Sequence, residues 1–233
     1  MYKDLSTFDW ARAAQNVTDE GFAVLPSLLA AEECQCVAAL YDEPQHFRSH
    51  VRMARHGFGK GEYKYFGAPL PRWLADLRAD FYGRLAPIAC EWAGRLRSAV
   101  EYPATHAQYL QQCHEAGQRR PTPLLLRYAC GDYNCLHQDL YGAVWFPLQV
   151  VVLLDAPGES FEGGELLIVE QRPRAQSRGS VVPLKQGDAA VIAVNHRPRL
   201  GARGYSRVTL RHGVSTVTRG RRHTLGIILH DAD

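Results

Sequence analysis

From Leu124 to the C-terminus the chain is a succession of short, apolar, β-branched-rich segments: "LLLRYA", "FPLQVVVLLD", "GGELLIVEQ", "SVVPL", "DAAVIAV", "RVTLRHGVSTV" and "RRHTLGIILHD". Turn-forming stretches such as "APGES", "KQGD" and "TRGR" separate them, and no helical pattern lies between. Such segments fit a pleated, half-buried surface. A parallel sheet would need long crossovers, usually helices, between its strands. Seven or eight strands without them predict a sandwich or jelly roll.

The first 122 residues read mainly as helices. "GFAVLPSLL" predicts a short strand leading into a turn, and "AAEECQCVAALYDE" a helix with apolar residues at Cys34, Val37, Ala38 and Tyr41. "FRSHVRMARHGFGKGEYKYFG" is rich in Gly and basic residues and reads as an extended or looped excursion. "PRWLADLRADFYGRLAPIACEWAGRLR" has the three-and-four spacing of an amphipathic helix pair, kinked or divided at Pro87. "ATHAQYLQQCHEAGQ" reads as a further short helix, stopped at Gly117. The expected architecture is α+β: a helical N-terminal part, residues 1–122, packed on a C-terminal double-stranded β-helix, residues 123–233. The latter is a cupin-like jelly roll, and the two form one integrated domain.

Composition narrows the class. The chain has 233 residues, 46% of them hydrophobic, enough for a sizeable core. "MYKDLSTFDWARAAQ" carries charges throughout and has no apolar signal region, and "FPLQVVVLL" is too short to span a bilayer. A soluble, cytoplasmic protein without a membrane partner is therefore expected. The six cysteines form no C-x-x-C pair, which favours free thiols in a reducing compartment. Net charge is only +3, yet Gln171 to Arg222 holds twelve Lys or Arg against one acid, Asp188. Such a block, densest over residues 171–211, suggests an anionic partner such as a nucleic acid. The alternative is a solvated arginine-rich loop plus one buried arginine that holds a small carboxylate. Arg172, Arg174, Arg178, Arg197, Arg199 and Arg203 are expected on loops near the mouth of the barrel. Asp188 in "QGD" reads most simply as a turn residue, and Gly163 and Gly164 as a tight hairpin. Oligomeric state is not encoded in any feature of the sequence.

The chemistry starts at "LHQDLYG", where His137 and Asp139 stand two apart. On a strand, such residues face the same way, so one imidazole and one carboxylate can aim at a common point. His212, in "TLRHGVSTV", lies on a strand expected to neighbour the first in a jelly roll. Two histidines and a carboxylate make the facial triad that suits non-haem Fe(II) and leaves positions free for a cosubstrate and O2. Ten residues on, Arg222 and Thr224 would direct a guanidinium and a hydroxyl into the barrel. Burying them needs an anionic partner, and a small dicarboxylate fits.

With these elements in this order the sequence resembles the Fe(II)/2-oxoglutarate-dependent dioxygenases. The resemblance rests on "LHQDLYG", "FEGGELLIVE", "LKQGDAAVIAV" and "RHGVSTVTRGRRHTL". More narrowly, nearly the whole chain is similar to a bacterial group of oxygenases labelled as acting on damaged nucleic acid. The resemblance implies iron held by His137, Asp139 and His212, and 2-oxoglutarate chelating it through the keto-acid end. It also implies that Arg222 pairs with the far carboxylate, helped by Thr224, with Tyr128 near the cosubstrate as in prolyl-hydroxylase-like members. Tyr133, Asn134, Gln138 and Tyr141 flank the ligands as candidates for the substrate rim. One departure stands out. Demethylases of alkylated DNA carry R-x5-R in the last strand region, whereas six residues past Arg222 stands Ile228. The expected reaction is hydroxylation of a substrate C–H, including oxidative demethylation of damaged nucleic acid. Hydroxylation of a protein side chain or a small molecule stays open, as does a cupin-like metal-binding module without turnover.

Overall fold

Asp9 accepts a hydrogen bond from the Arg12 N–H and opens α1 (Trp10–Glu20), which Gly21 closes in the left-handed conformation. The computed structural model describes residues 2–172 and 174–233; Pro173, inside the basic block, lies outside the described residues. After α1 come β1 (Phe22–Leu25), α2 (Ala31–Ala39), β2 (Phe47–Arg52), β3 (Gly59–Lys60), β4 (Glu62–Phe66), α3 (Arg72–Arg95) and α4 (His106–Glu115). The second half contains β5 (Leu124–Ala129), β6 (Tyr133–His137), β7 (Leu148–Leu153), β8 (Phe161–Gly163) and β9 (Leu166–Gln171). It ends with β10 (Arg178–Val182), β11 (Ala189–Ala193), β12 (His196–Gly201), β13 (Gly204–Val214) and β14 (Val217–Ile227).

Among the described residues the strands form two antiparallel sheets. The larger runs β1–β11–β7–β14–β5–β4–β2, with β8 added on β14. The smaller runs β10–β9–β13–β6–β3, with β12 added on β13. Strand alternation gives the large sheet two jobs. Leu125, Val150, Val152, Leu225 and Ile227 join one apolar core with Leu74, Leu77, Phe81 and Leu85 of α3. The alternate residues Leu126, Tyr128, Val151, Arg222 and Thr224 line a cavity that residues of the small sheet, among them Leu166 and His212, also line. Two facing antiparallel sheets with helices on one of them match the α+β jelly roll expected.

The N-terminal half departs from its sequence reading. It contributes β1, β2 and β4 to the large sheet and β3 to the small one. The segment read as an extended or looped excursion is the β2–β4 ladder, with Val51 opposite Tyr63. Alternating exposure along β2 is the signature of a half-buried strand, but Arg48, His50 and Arg52 occupy its open positions and mask it. The helix pair around Pro87 is one continuous helix, α3. Leu77, Phe81, Leu85, Ile88 and Trp92 are buried on both sides of the proline, so packing holds both halves on a shared axis against the local cost of Pro.

Candidate active site

β6 and β13 pair with His137 directly opposite His212, and the two rings lie 4.3 Å apart between centroids. His137 is the last residue of β6. Asp139 lies beyond the strand end, not on the strand as expected, yet its buried carboxylate reaches both rings. Oδ1 is 3.5 Å from His137 Nε2 and Oδ2 is 3.2 Å from His212 Nε2. These three side chains form the one group among the described residues with ligand atoms close enough to hold a metal ion, all within 4.8 Å of one another.

The surroundings orient this donor set. A 2.7 Å hydrogen bond joins His137 Nδ1 to the Cys135 carbonyl. A carbonyl only accepts, so the proton sits on Nδ1 and the Nε2 lone pair is free for a metal. Tyr141 donates its hydroxyl to Asp139 Oδ1 at 2.6 Å, and Gln149 donates Nε2–H to Oδ2 at 2.8 Å. Burial opposes a charge on Asp139, but its hydrogen bonds and charge interactions with His137 and His212 outweigh it and hold the carboxyl well below the ordinary range. Gln138, between the two ligands, donates to Asn195 Oδ1 at 2.6 Å and to the Leu210 carbonyl at 2.8 Å. These bonds tie the ligand turn to β13.

Arg222 and Thr224 are buried on β14, and Arg222 stands opposite Tyr128 in the β5–β14 register. The guanidinium carbon lies 5.5 Å from the Tyr128 ring centroid. Arg222 is 1% exposed, and its Nε and Nη1 have no hydrogen-bond partner among the described residues. Removing one partner of a buried ion pair costs about 3–5 kcal/mol, so an orphaned buried guanidinium marks a place for an anion. Gly164 makes room for it: a Cβ there would sit 2.9 Å from Arg222 Cδ. One cavity of about 320 Å³ is lined by His137, Asp139, His212, Arg222, Thr224 and Tyr128 together. Two imidazoles, a carboxylate and an unpartnered guanidinium in one cavity fit Fe(II) and an anionic cosubstrate.

Of the candidate rim residues, Asn134, Gln138 and Tyr141 line this cavity, whereas Tyr133 does not. Tyr133 pairs with Lys60 at the sheet edge and is 36% exposed. Gln149, Tyr63 and Phe58 were missed, and Gly164 was read only as a hairpin glycine. Gln149 had a signal, as the one polar residue inside "FPLQVVVLL"; a buried polar side chain asks for a partner. Asp188 accepts from the Ser27 and Lys185 N–H groups at 2.8 and 2.9 Å, as a turn residue.

The basic block is corrected. Arg178 lies on β10, and Arg197 and Arg199 on β12, not on mouth loops. Arg197 is buried and pairs with Glu170, which also pairs with Arg172, and Arg178 pairs with Glu20. Of the block's basic side chains, only Arg222 lines the cavity among the described residues. The register of β12, β13 and β9 brings Glu170 beside Arg197, so part of the block's charge is neutralised internally, while Arg199, Arg203, Arg207 and Arg211 are exposed without an ion pair among the described residues.

A family model described as an oxygenase catalysing oxidative methylation of damaged DNA matches residues 61–232. The chain belongs to this family, Oxygenase-NA. An uncharacterized Mycobacterium tuberculosis protein, Rv2227, is 46% identical over 167 residues, 72% of each chain. Among solved structures, a Pseudomonas putida prolyl-4-hydroxylase superposes with TM-score 0.57 at 14% identity, over 96% of this chain and 99% of that one. A 2OG-Fe(II) oxygenase family oxidoreductase from Burkholderia pseudomallei gives 0.54 at 18%, over 97% and 93%. A Trichoplax adhaerens prolyl hydroxylase in complex with a hypoxia-inducible-factor peptide gives 0.54 at 12%, over 94% and 87%. These likenesses establish the fold. With the family and the His–Asp–His donor set, they make this an Fe(II)- and 2-oxoglutarate-dependent dioxygenase that uses O2. No described helix is long and apolar enough to cross a membrane.

Proposed function

We propose that His137, Asp139 and His212 hold the iron, that Arg222 with Thr224 and Tyr128 binds the distal carboxylate of 2-oxoglutarate, and that the substrate is an alkylated base of damaged nucleic acid. Residues 123–233 would form the catalytic core and residues 1–122 its support, in a cytoplasmic enzyme. The observation that carries the site assignment is the buried, unpartnered guanidinium of Arg222 in the cavity that also holds the donor triad. Bound Fe(II) with 2-oxoglutarate and O2 supplies the oxidation of a substrate C–H to an alcohol, with release of succinate and CO2.

The chain's own groups prepare that chemistry. The Cys135 carbonyl fixes the His137 tautomer, and Tyr141 and Gln149 hold the Asp139 carboxylate by donating to it. Arg222 fixes one end of the cosubstrate, and the largely apolar walls limit water around the reacting carbon. Insertion of one oxygen atom into an N-methyl C–H gives a hydroxymethylamine. That product loses formaldehyde and leaves an N–H, so the reaction removes a methyl group. Support for nucleic acid is the description of the matching family. A second reading, hydroxylation of a protein side chain, is favoured by the prolyl hydroxylases among the structural relatives. An aerobic assay with Fe(II) and 2-oxoglutarate decides between them. Succinate and formaldehyde should rise with N-methylated oligonucleotides. Stimulation by prolyl peptides alone would replace the nucleic-acid reading, and absence of succinate under every condition would overturn the dioxygenase assignment.

A further inference from the structure

The segment between β2 and β4 borders two concave surfaces at once. Its tip, Gly57 and Phe58, lines the mouth of the catalytic cavity, while Arg52, Ala54 and Lys60 line an open groove of about 510 Å³ on the other side. Strand alternation explains the division. Tyr63, Leu126, Tyr128 and Arg222 face the cavity, and their neighbours Glu62, Arg127, Ala129 and Arg221 face the groove. Four cations, Arg52, Lys60, Arg127 and Arg221, meet two carboxylates there, Glu62 and Asp132. Arg127 is engaged by Glu62 and Asp42. Arg52, Lys60 and Arg221 are exposed and have no ion pair among the described residues. Their charge is thus available, unlike that of Arg172, Arg178 and Arg197. At the mouth Phe58 is 48% exposed and stacks on His56, with ring centroids 5.3 Å apart.

We infer that this groove holds the phosphate backbone of a single nucleic-acid strand, and that Phe58 provides the stacking platform past which a base reaches the iron site. The inference rests on the nucleic-acid reading proposed above. It moves the contact surface from the 171–211 block to the β2–β4 segment and Arg221. A charged groove beside an aromatic platform is the arrangement that binds single strands without sequence preference. A base inside a duplex could not enter so enclosed a cavity without leaving its stack.

The test is fluorescence anisotropy of a fluorescein-labelled single-stranded oligonucleotide with the full chain, loaded anaerobically with Fe(II) and 2-oxoglutarate, across a salt series. Each lost phosphate contact should flatten the log–log salt slope by about 0.7. The triple variant Arg52→Gln, Lys60→Gln, Arg221→Gln should therefore lower the slope by about 2, with unchanged circular dichroism and melting. Phe58→Ala should weaken binding about 5- to 150-fold. The variant Arg199→Gln, Arg203→Gln, Arg207→Gln should leave both quantities unchanged. Binding by the native chain that is insensitive to the groove variant but falls in the β12–β13 variant would overturn this placement and leave the substrate class standing. Failure of the native chain to bind any oligonucleotide at low salt would overturn the nucleic-acid reading itself, and the groove with it.

Discussion

At the scale of single residues, the site is a set of groups that are costly alone and stable together. Arg222 is fully desolvated with two donors unmet. Arg222→Ala should raise the 2-oxoglutarate requirement by the equivalent of about 2–5 kcal/mol, while metal binding at the His–Asp–His cluster is retained. Isothermal titration of 2-oxoglutarate into the metal-loaded variant checks this, and an unchanged affinity would assign the carboxylate to another cation. Alanine at His137, Asp139 or His212 should abolish turnover and leave the fold, because none of the three side chains belongs to the apolar clusters that hold the sheets and helices together. Gln149 makes a finer case. Its Nε2 donates to Asp139 at 2.8 Å, while its buried Oε1 has no partner among the described residues. Gln149→Leu removes a hydrogen bond to the charged Asp139 carboxylate, worth about 1.5–3 kcal/mol, together with the 3.1 Å contact between Gln149 Nε2 and His212 Nε2. Metal affinity should fall by the corresponding factor of about 10–150, read by competition with a chelator. Undiminished affinity would show that Tyr141 alone orients the carboxylate.

At the scale of elements, the link between β8 and β9 shows how backbone shape places a side chain. Gly163 and Gly164 both have positive φ, at 71° and 65°. A Cβ at Gly163 would meet the Thr216 carbonyl at 2.2 Å, and one at Gly164 would meet both Val217 and Arg222 within 2.9 Å. The pair reads as hairpin glycines in sequence; in the structure, the second also opens the space that Arg222 occupies. Gly164→Ala should cost about 1–2 kcal/mol in chemical denaturation from its left-handed backbone. It should also weaken 2-oxoglutarate binding, because the guanidinium must shift. A stability loss with full cosubstrate affinity would confine Gly164 to the turn.

For the molecule as a whole, two buried histidines link stability to acid. His106 shares a 2.9 Å hydrogen bond with the Leu229 carbonyl, and His230 Nδ1 accepts from the Phe146 N–H at 3.1 Å. Burial, helped by the nearby Arg78 charge, pushes both down to about 4. The unfolded chain takes up these protons near the ordinary histidine pKa of about 6.5, so between that value and about 4 it binds more protons than the folded one. Stability is therefore complete above about pH 6.5 and falls towards pH 4, by up to roughly 3 kcal/mol per histidine. Urea titrations at pH 7 and pH 5 should show this loss, and His230→Asn should reduce it. An equal loss in that variant would place the titration elsewhere. Because α3, α4 and the C-terminal segment meet at Arg78, which donates to the Ile228 and His230 carbonyls and pairs with Asp231 at 2.9 Å, the same change tests how firmly the helices are locked to the last strand.

Some of this is legible in the sequence alone. His137 and Asp139 are two residues apart, and the alternation on β14 puts Arg222 and Thr224 on one face; both relations depend only on local chain geometry. The antiparallel jelly roll followed from strand-like segments without helices between them, again a local property. Other features depended on which distant segments meet. β2, β3 and β4 were hidden because their exposed positions carry Arg, His and Lys, and they become strands only by pairing with one another and with β5 and β6. Arg197 looked like a free surface cation until strand register placed Glu170 beside it. Asp139 completes the triad from just outside its strand, and Gln149 joins it from across the cavity. Hydrophobic patterning determines that a segment is buried, while the identity of its neighbour is a long-range choice made by register, and that choice decided which charges are neutralised and which remain exposed beside the cavity.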